Sequence, residues 1–285
     1  MAKIVNIQDL EEIFYSQKKV YCKESTIKFY RDTLHCFDLY CESLNITDSG
    51  EFSRDLLQNY VIYLRDKVSP GAIRTYLRAL KAFCSWAIYE EYIKPFQYKI
   101  KLPRPEESID MPLSAEEAAA IDDIIRKNCK KPDQYLLLFH LCLDCGMRSC
   151  EALHLRYSDV DFKNNIISIR NTKYNKSRVI PLPDLIRDLL PDQVSDPQKY
   201  LVNISKTTKN SFFSRLQRWT GINRIHAHLL RHTFATSYMM ERGNLEYLRM
   251  YLGHTTYDIT KIYCNMAYQC DITGYKIYKI SDVFK

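Results

Sequence analysis

The sequence predicts a mainly α-helical protein of two domains, the second carrying a small antiparallel β-sheet. Three observations lead there. Apolar residues return every three or four positions through the first hundred residues, the spacing that lines one face of a helix. Pro95, Pro103, Pro105 and Pro112 then break that periodicity. Beyond them, two short β-rich runs flank a polar turn before helical patterns resume.

At 285 residues with 46% hydrophobic content, the chain is long enough for two ordinary domains with real cores. Ten cysteines would mark a disulfide scaffold in a short secreted domain. Here they are scattered through a long chain with no signal peptide ahead of them, which predicts reduced thiols and a cytoplasmic protein. No apolar run approaches the roughly 20 residues that cross a bilayer, which excludes a membrane-spanning role. A net charge of +7 and a pI near 8.8 suit an acidic partner.

Taken in order, "STIKFYRDTLHCFDLYCESL" sets Ile27, Tyr30, Leu34, Phe37, Cys41 and Leu44 on one buried face, with Ser25 as the expected N-cap. "DLLQNYVIYLRDK" buries Leu57, Tyr60, Val61 and Leu64 by the same logic, and Ser69 and Pro70 interrupt it. A third helix runs from about Gly71 to Tyr92. On it Arg74, Arg78 and Lys81 share one face while Leu77, Leu80, Cys84 and Ala87 occupy another. Such a stripe is either a solvated surface or a helix laid along phosphates. These helices make a first domain over residues 1–100, and the proline-rich stretch makes a linker over 101–112. The second domain, 113–285, opens on the capping box of Ser114 and Glu117. After two helices, Ile166 to Arg170 and Arg178 to Leu182 flank "KYNKS" as a hairpin.

The candidate chemistry lies in the second domain. "CLDC" at Cys142 and Cys145 has metal-ligand spacing, yet no second pair lies at a suitable distance, and its apolar neighbours read as a buried helix; no metal is expected. "CGMRSCEALHL" places Arg148 after Gly146 inside an apolar helix, with Glu151 one turn on. That pair is either a structural ion pair or a guanidinium held in orientation by a carboxylate. "HLLRHTFATSY" gathers His228, Arg231 and His232 at the start of a helix otherwise suited to a core. "LGH" ends at His254, and "KIYCNM" puts Tyr263 nine residues further on.

Together these residues have one obvious chemical use. Two guanidiniums can grip both non-bridging oxygens of a phosphodiester, and they stabilise best the added charge of a pentavalent transition state. A phenol, with an ordinary pKa of about 10, becomes a competent nucleophile beside that charge and a histidine acceptor. A lysine on the hairpin can protonate the departing 5′-oxygen.

From about Leu113 through Met266 the chain resembles the catalytic domain of the tyrosine recombinase (phage integrase) family. "CGMRSCEALHLRYSDVD", "HAHLLRHTFATSYMMERGN" and "YLGHTTYDITKIYCNM" resemble its three boxes, and "NTKYNKSRVIPLP" resembles its second and third strands. The resemblance implies that Arg148 is the first catalytic arginine, His228 and Arg231 the HxxR pair, His254 the third-box histidine and Tyr263 the nucleophile, with Glu151 in support. It makes Lys173 the catalytic lysine, with Lys176 across the turn as the alternative. It also implies a helical core-binding domain that closes with the catalytic domain as a clamp on duplex DNA, Arg74, Arg78, Lys81 and Lys176 being DNA contacts. Ala227 stands where relatives often carry proline and Asn244 where aspartate is usual; neither change touches the chemistry.

The implied reaction is isoenergetic. Tyr263 attacks the scissile phosphate and keeps the 3′ end as a phosphotyrosine, and the freed 5′-hydroxyl attacks the partner duplex through a Holliday junction. Four protomers would hold two inverted-repeat core sites, and no cofactor is expected. The chain begins close to the core-binding domain, which fits a simple Xer-like, resolvase-like or compact mobile-element enzyme. Two other readings are a type IB topoisomerase and a homologue that only occupies sites; the latter is expected to have lost a catalytic residue, and none is lost. In the tail, "YQCDITGYKIYKISDVFK", Gly274 is expected to end a helix. The cluster of Ile277, Tyr278, Ile280, Val283 and Phe284 is expected to pack on its own domain or, as in some family members, to enter a neighbouring protomer.

Overall fold

The computed structural model describes residues 3–95, 110–170, 177–191 and 196–280. The chain divides into two compact units, Met1–Ser108 and Ile109–Lys285.

Among the described residues the first unit holds four α-helices: α1 (Ile7–Lys19), α2 (Glu24–Ser43), α3 (Arg54–Arg65) and α4 (Pro70–Tyr89). Their apolar faces meet in an aromatic core in which Phe14, Phe37, Phe83 and Tyr60 are fully buried. Phe14 meets Phe83 edge-on at 5.4 Å and Phe37 meets Tyr60 at 5.0 Å, the geometry that ring quadrupoles favour. Two local expectations change. Ser25 does not cap α2: Lys23 is the extended residue and Glu24 is already helical, an acid suited to the first turn. Pro70 is not merely an interruption. It is the first residue of α4, where a missing N–H costs nothing, and Ser69 caps that helix by accepting from the Ala72 N–H at 3.4 Å. Arg78 and Lys81 are exposed and Arg74 partly so, while Ile73, Leu77, Leu80, Cys84 and Ala87 are buried.

The second unit begins with α5 (Ala115–Asn128), whose capping box is formed: Ser114 Oγ accepts from the Glu117 N–H at 3.1 Å, and Glu117 accepts from the Ser114 N–H at 2.9 Å. Then come α6 (Pro132–Leu143), α7 (Ser149–His154), the strands β1 (Val160–Asp161), β2 (Ile166–Ile169) and β3 (Arg178–Pro181), α8 (Asp184–Asp188), α9 (Lys206–Thr220), α10 (Ala227–Arg242), α11 (Leu245–Leu252) and α12 (Asp258–Thr273). The strands form one antiparallel sheet in the order β1-β2-β3, with Ile167 opposite Val160 on one side and Ile180 on the other. The two-residue β1 is too short to leave an alternating pattern in the sequence. The turn between β2 and β3 carries Lys173 and Lys176, which lie outside the described residues.

Every residue of α6 from Leu136 to Leu143 is buried, and Cys142 and Cys145 are sealed in the core. Burial pushes the Cys142 thiol up to about 12, which disfavours the thiolate a metal needs. Arg148 is not inside that helix, as the sequence had suggested. α6 stops at Leu143, Gly146 turns the chain at φ +57, and Arg148 is the extended N-cap of α7. The Phe234 ring of α10 occupies the space that a Cβ on residue 146 would fill, approaching to 2.5 Å of it. α10 itself packs against both α6 and α12.

Of the two expectations for the tail, the described residues 275 to 280 show packing on their own unit. Ile277 bridges Ser114, the Tyr278 N–H donates to the Leu113 carbonyl at 2.9 Å, and Ile277 and Ile280 are buried. This strip completes the entry to α5. The Tyr278 hydroxyl adds a bond to Asp144 at 2.8 Å, and Asp144 also holds His140, 2.8 Å from Asp122 on the other ring nitrogen. Val283 and Phe284 lie outside the described residues.

Candidate active site

Three turns converge at one end of α10. The first is the Gly146–Arg148 turn, the second the Leu252–His254 turn after α11, and the third the opening of α10. Arg231, 2% exposed, joins the first two by donating from Nη1 to the Gly146 carbonyl at 2.6 Å and from Nη2 to the Leu252 carbonyl at 2.8 Å. Arg148 Nη1 reaches the same Leu252 carbonyl at 3.4 Å. Two guanidiniums thus share one backbone oxygen as a hub.

Glu151 gathers the next layer. Its Oε1 accepts from Arg148 Nη1 at 2.9 Å and from Arg178 Nη1 at 3.0 Å. Its Oε2 accepts from the Arg148 backbone N–H at 3.0 Å and from Arg178 Nη2 at 2.7 Å. Burial alone would raise this carboxyl, but the Arg178 bonds and charge, with the Arg148 N–H, outweigh it and hold the group at about 2. Arg148, Arg178 and Arg231 therefore face a single carboxylate, and the site is cationic.

The histidines answer that charge by staying neutral. Burial, then Arg231, Arg148 and Arg178, press His254 down to about 3. Burial and His228 press His232 to about 4, and burial followed by Arg231 lowers His228. Arg231 Nη2 lies 3.0 Å from His254 Nε2. A guanidinium only donates, so Nε2 accepts and the ring proton sits on Nδ1, which donates to Thr260 Oγ1 at 2.9 Å.

Tyr263, 2% exposed on α12, completes the cluster. Its ring stacks on His254 at 6.3 Å and meets His232 at 5.4 Å, and His232 in turn meets His228 edge-on at 5.3 Å. Burial raises the Tyr263 hydroxyl while Arg231 and Arg148 draw it back.

The structure thus brings together Arg148, Glu151, His228, Arg231, His254 and Tyr263. Arg74, Arg78 and Lys81 belong to the first unit, and the two hairpin lysines are outside the described residues. Three residues had no role assigned from sequence. His232 follows from spacing alone, since a residue four after His228 shares its face. Thr260 and Arg178 left no such signal, because their partners lie on other elements.

The sequence model described as the phage integrase family matches residues 111–269, more than half of the chain. The chain belongs to the phage integrase family. A second model of that family, its SAM-like domain, matches residues 9–103 of the integrase. Among curated relatives, tyrosine recombinase XerA of Thermococcus onnurineus is 28% identical over 250 residues, covering 83% of this chain and 85% of its own length. Two solved structures share the fold. A lambda integrase dimer bound to a COC' core site matches with a TM-score of 0.75 at 14% identity, over 92% of this chain and 78% of that one. XerH recombinase in a post-cleavage complex with palindromic difH matches with a TM-score of 0.67 at 23% identity, over 88% of this chain and 79% of that one. As a member of this family, whose enzymes cut and rejoin DNA through a tyrosine, the integrase is a site-specific DNA recombinase. Nothing in these likenesses favours strand relaxation of the type IB kind.

Proposed function

We propose that Tyr263 is the nucleophile of a strand transfer in which Arg148 and Arg231 hold the scissile phosphate of duplex DNA. The observation that carries this reading is the Tyr263 ring set between His232 and His254 within the field of both arginines. The Tyr263 oxygen bonds to phosphorus, its proton passes to a neutral imidazole of the His228 and His232 pair, and the 5′-oxygen leaves with a proton from Lys173. Glu151 orients Arg148, and His254, whose Nε2 accepts from Arg231 and whose Nδ1 donates to Thr260, holds Arg231 in place. Binding the phosphate offsets the crowding of like charges among Arg148, Arg178 and Arg231. The energy of the broken bond is kept in the phosphotyrosine, so the chemistry needs neither metal nor cofactor.

Residues 1–100 are read as the core-binding domain, 101–112 as the linker and 113–285 as the catalytic domain. Arg74, Arg78 and Lys81 on one side of α4, with Lys176 on the hairpin, are read as phosphate contacts. An inverted-repeat core site bound by four protomers in the cytoplasm follows from the same reading. The DNA held by the XerH and lambda integrase neighbours supports the duplex partner.

The test is covalent trapping on a nicked duplex taken from sites the protein occupies in its host genome. The native chain is expected to form a denaturant-resistant adduct, and Tyr263→Phe, which removes one oxygen and keeps the ring packed, is expected to bind the duplex and form none. An adduct with Tyr263→Phe would move the nucleophile to Tyr257 or Tyr268, which are 54% and 66% exposed.

A further inference from the structure

Two arginines share Glu151 unequally. The Arg178 side chain, 9% exposed, takes both carboxylate oxygens, while Arg148, 19% exposed, reaches Oε1 through one side-chain nitrogen. With the Arg148 backbone N–H, four donors meet the roughly four lone-pair directions a carboxylate offers, so Glu151 is saturated. A carboxylate left with a single arginine favours the two-bond fork with it. Arg148 would then give Glu151 a second guanidinium nitrogen that a phosphate requires.

Arg178 also sits where it can tie three segments together. It opens β3 opposite Ile169, the pair at the base of the turn that carries Lys173 and Lys176. Its guanidinium lies against Gly253, where a Cβ would come within 3.3 Å of Nη1, and Gly253 directly precedes His254. Its Nε is buried without a partner among the described residues. The side chain thus meets Glu151 squarely at the expense of its own remaining donor.

We propose that Arg178 is a positioning residue for strand cleavage: by occupying both oxygens of Glu151 it keeps that carboxylate from closing on Arg148, and it fixes the start of β3 at the same point. The inference rests on the strand-cleavage reading above. It assigns Arg178 no contact with DNA. Its effect passes through Arg148.

Arg178→Lys keeps the charge but cannot form the fork, and Arg178→Gln removes the charge as well. Both are expected to bind a half-site duplex as the native chain does and to form the Tyr263 adduct at least about tenfold more slowly, as loss of a preorganised guanidinium does elsewhere. The deciding readout is a cycle with Glu151→Gln. In the native background that change lowers the rate, because Arg148 loses its orienting charge. In either Arg178 variant it raises the rate, because a neutral amide no longer captures the freed guanidinium. A merely structural Arg178 would not reverse the sign. Native-rate adduct formation by both Arg178 variants, or the same Glu151→Gln factor in every background, overturns the inference while leaving the cleavage reading intact. Failure of the native chain itself to form an adduct overturns both.

Discussion

Arg148 and Arg231, the two arginines proposed to hold the phosphate, are bound into the protein in different ways, and substitution should separate them. Arg231 donates to two backbone carbonyls and to His254 at 2% exposure, whereas Arg148 is a partly exposed N-cap. Lysine copies the charge of either but not the planar fork. Arg148→Lys and Arg231→Lys are each expected to slow adduct formation by a factor on the order of a hundred, measured in single turnover on a nicked duplex. Thermal melting should distinguish the pair. Arg231→Lys leaves buried carbonyls unpaired and should lower the melting temperature, while Arg148→Lys should leave it near the native value. Near-native cleavage by either variant would make that arginine structural. At this scale the sequence was informative where spacing within one motif sets residues on one face, as for His228 and Arg231. It was silent on Arg178 and Thr260, whose partners Glu151 and His254 lie on other elements.

Elements were legible where a local rule decided them. The Ser114 capping box and the hairpin of β2 and β3 could be read because a few adjacent residues specify each. The break at Gly146 could not, since an apolar run reads as one helix and the ring of Phe234 that fixes the turn comes from far along the chain. Ser25 and Pro70 were misplaced by a residue or in sense, the usual scale of boundary error. The strand-cleavage reading assigns the leaving-group proton to Lys173, with Lys176 as the alternative, and substitution separates the two. If Lys173 supplies it, Lys173→Ala should cleave ordinary DNA poorly but recover when sulfur replaces the 5′-bridging oxygen, since a thiolate leaves without a proton. Lys176→Ala should show little of this contrast, and the opposite pattern would transfer the role across the turn.

For the molecule as a whole, the strip from Tyr275 to Ile280 belongs to the fold of its own unit. Deleting residues 275–285 removes two buried isoleucines, each worth about 1.5–3 kcal/mol, together with the Tyr278 bond to Asp144. The expected result is a lowered melting transition of the second unit and correspondingly weak half-site binding. An unchanged melting temperature with lost cooperativity on paired half-sites would instead place the tail in a neighbouring protomer. The position of the chemistry on α10 has a consequence of another kind. Because the helix bearing Arg231 and His232 also supplies core residues such as Leu230 and Phe234, loosening that core would displace Arg231 and His232 from Tyr263. On the strand-cleavage reading, a nascent, heat-damaged or proteolysed copy is therefore expected to lose cutting activity together with its fold, a coupling that guards DNA against stray breaks.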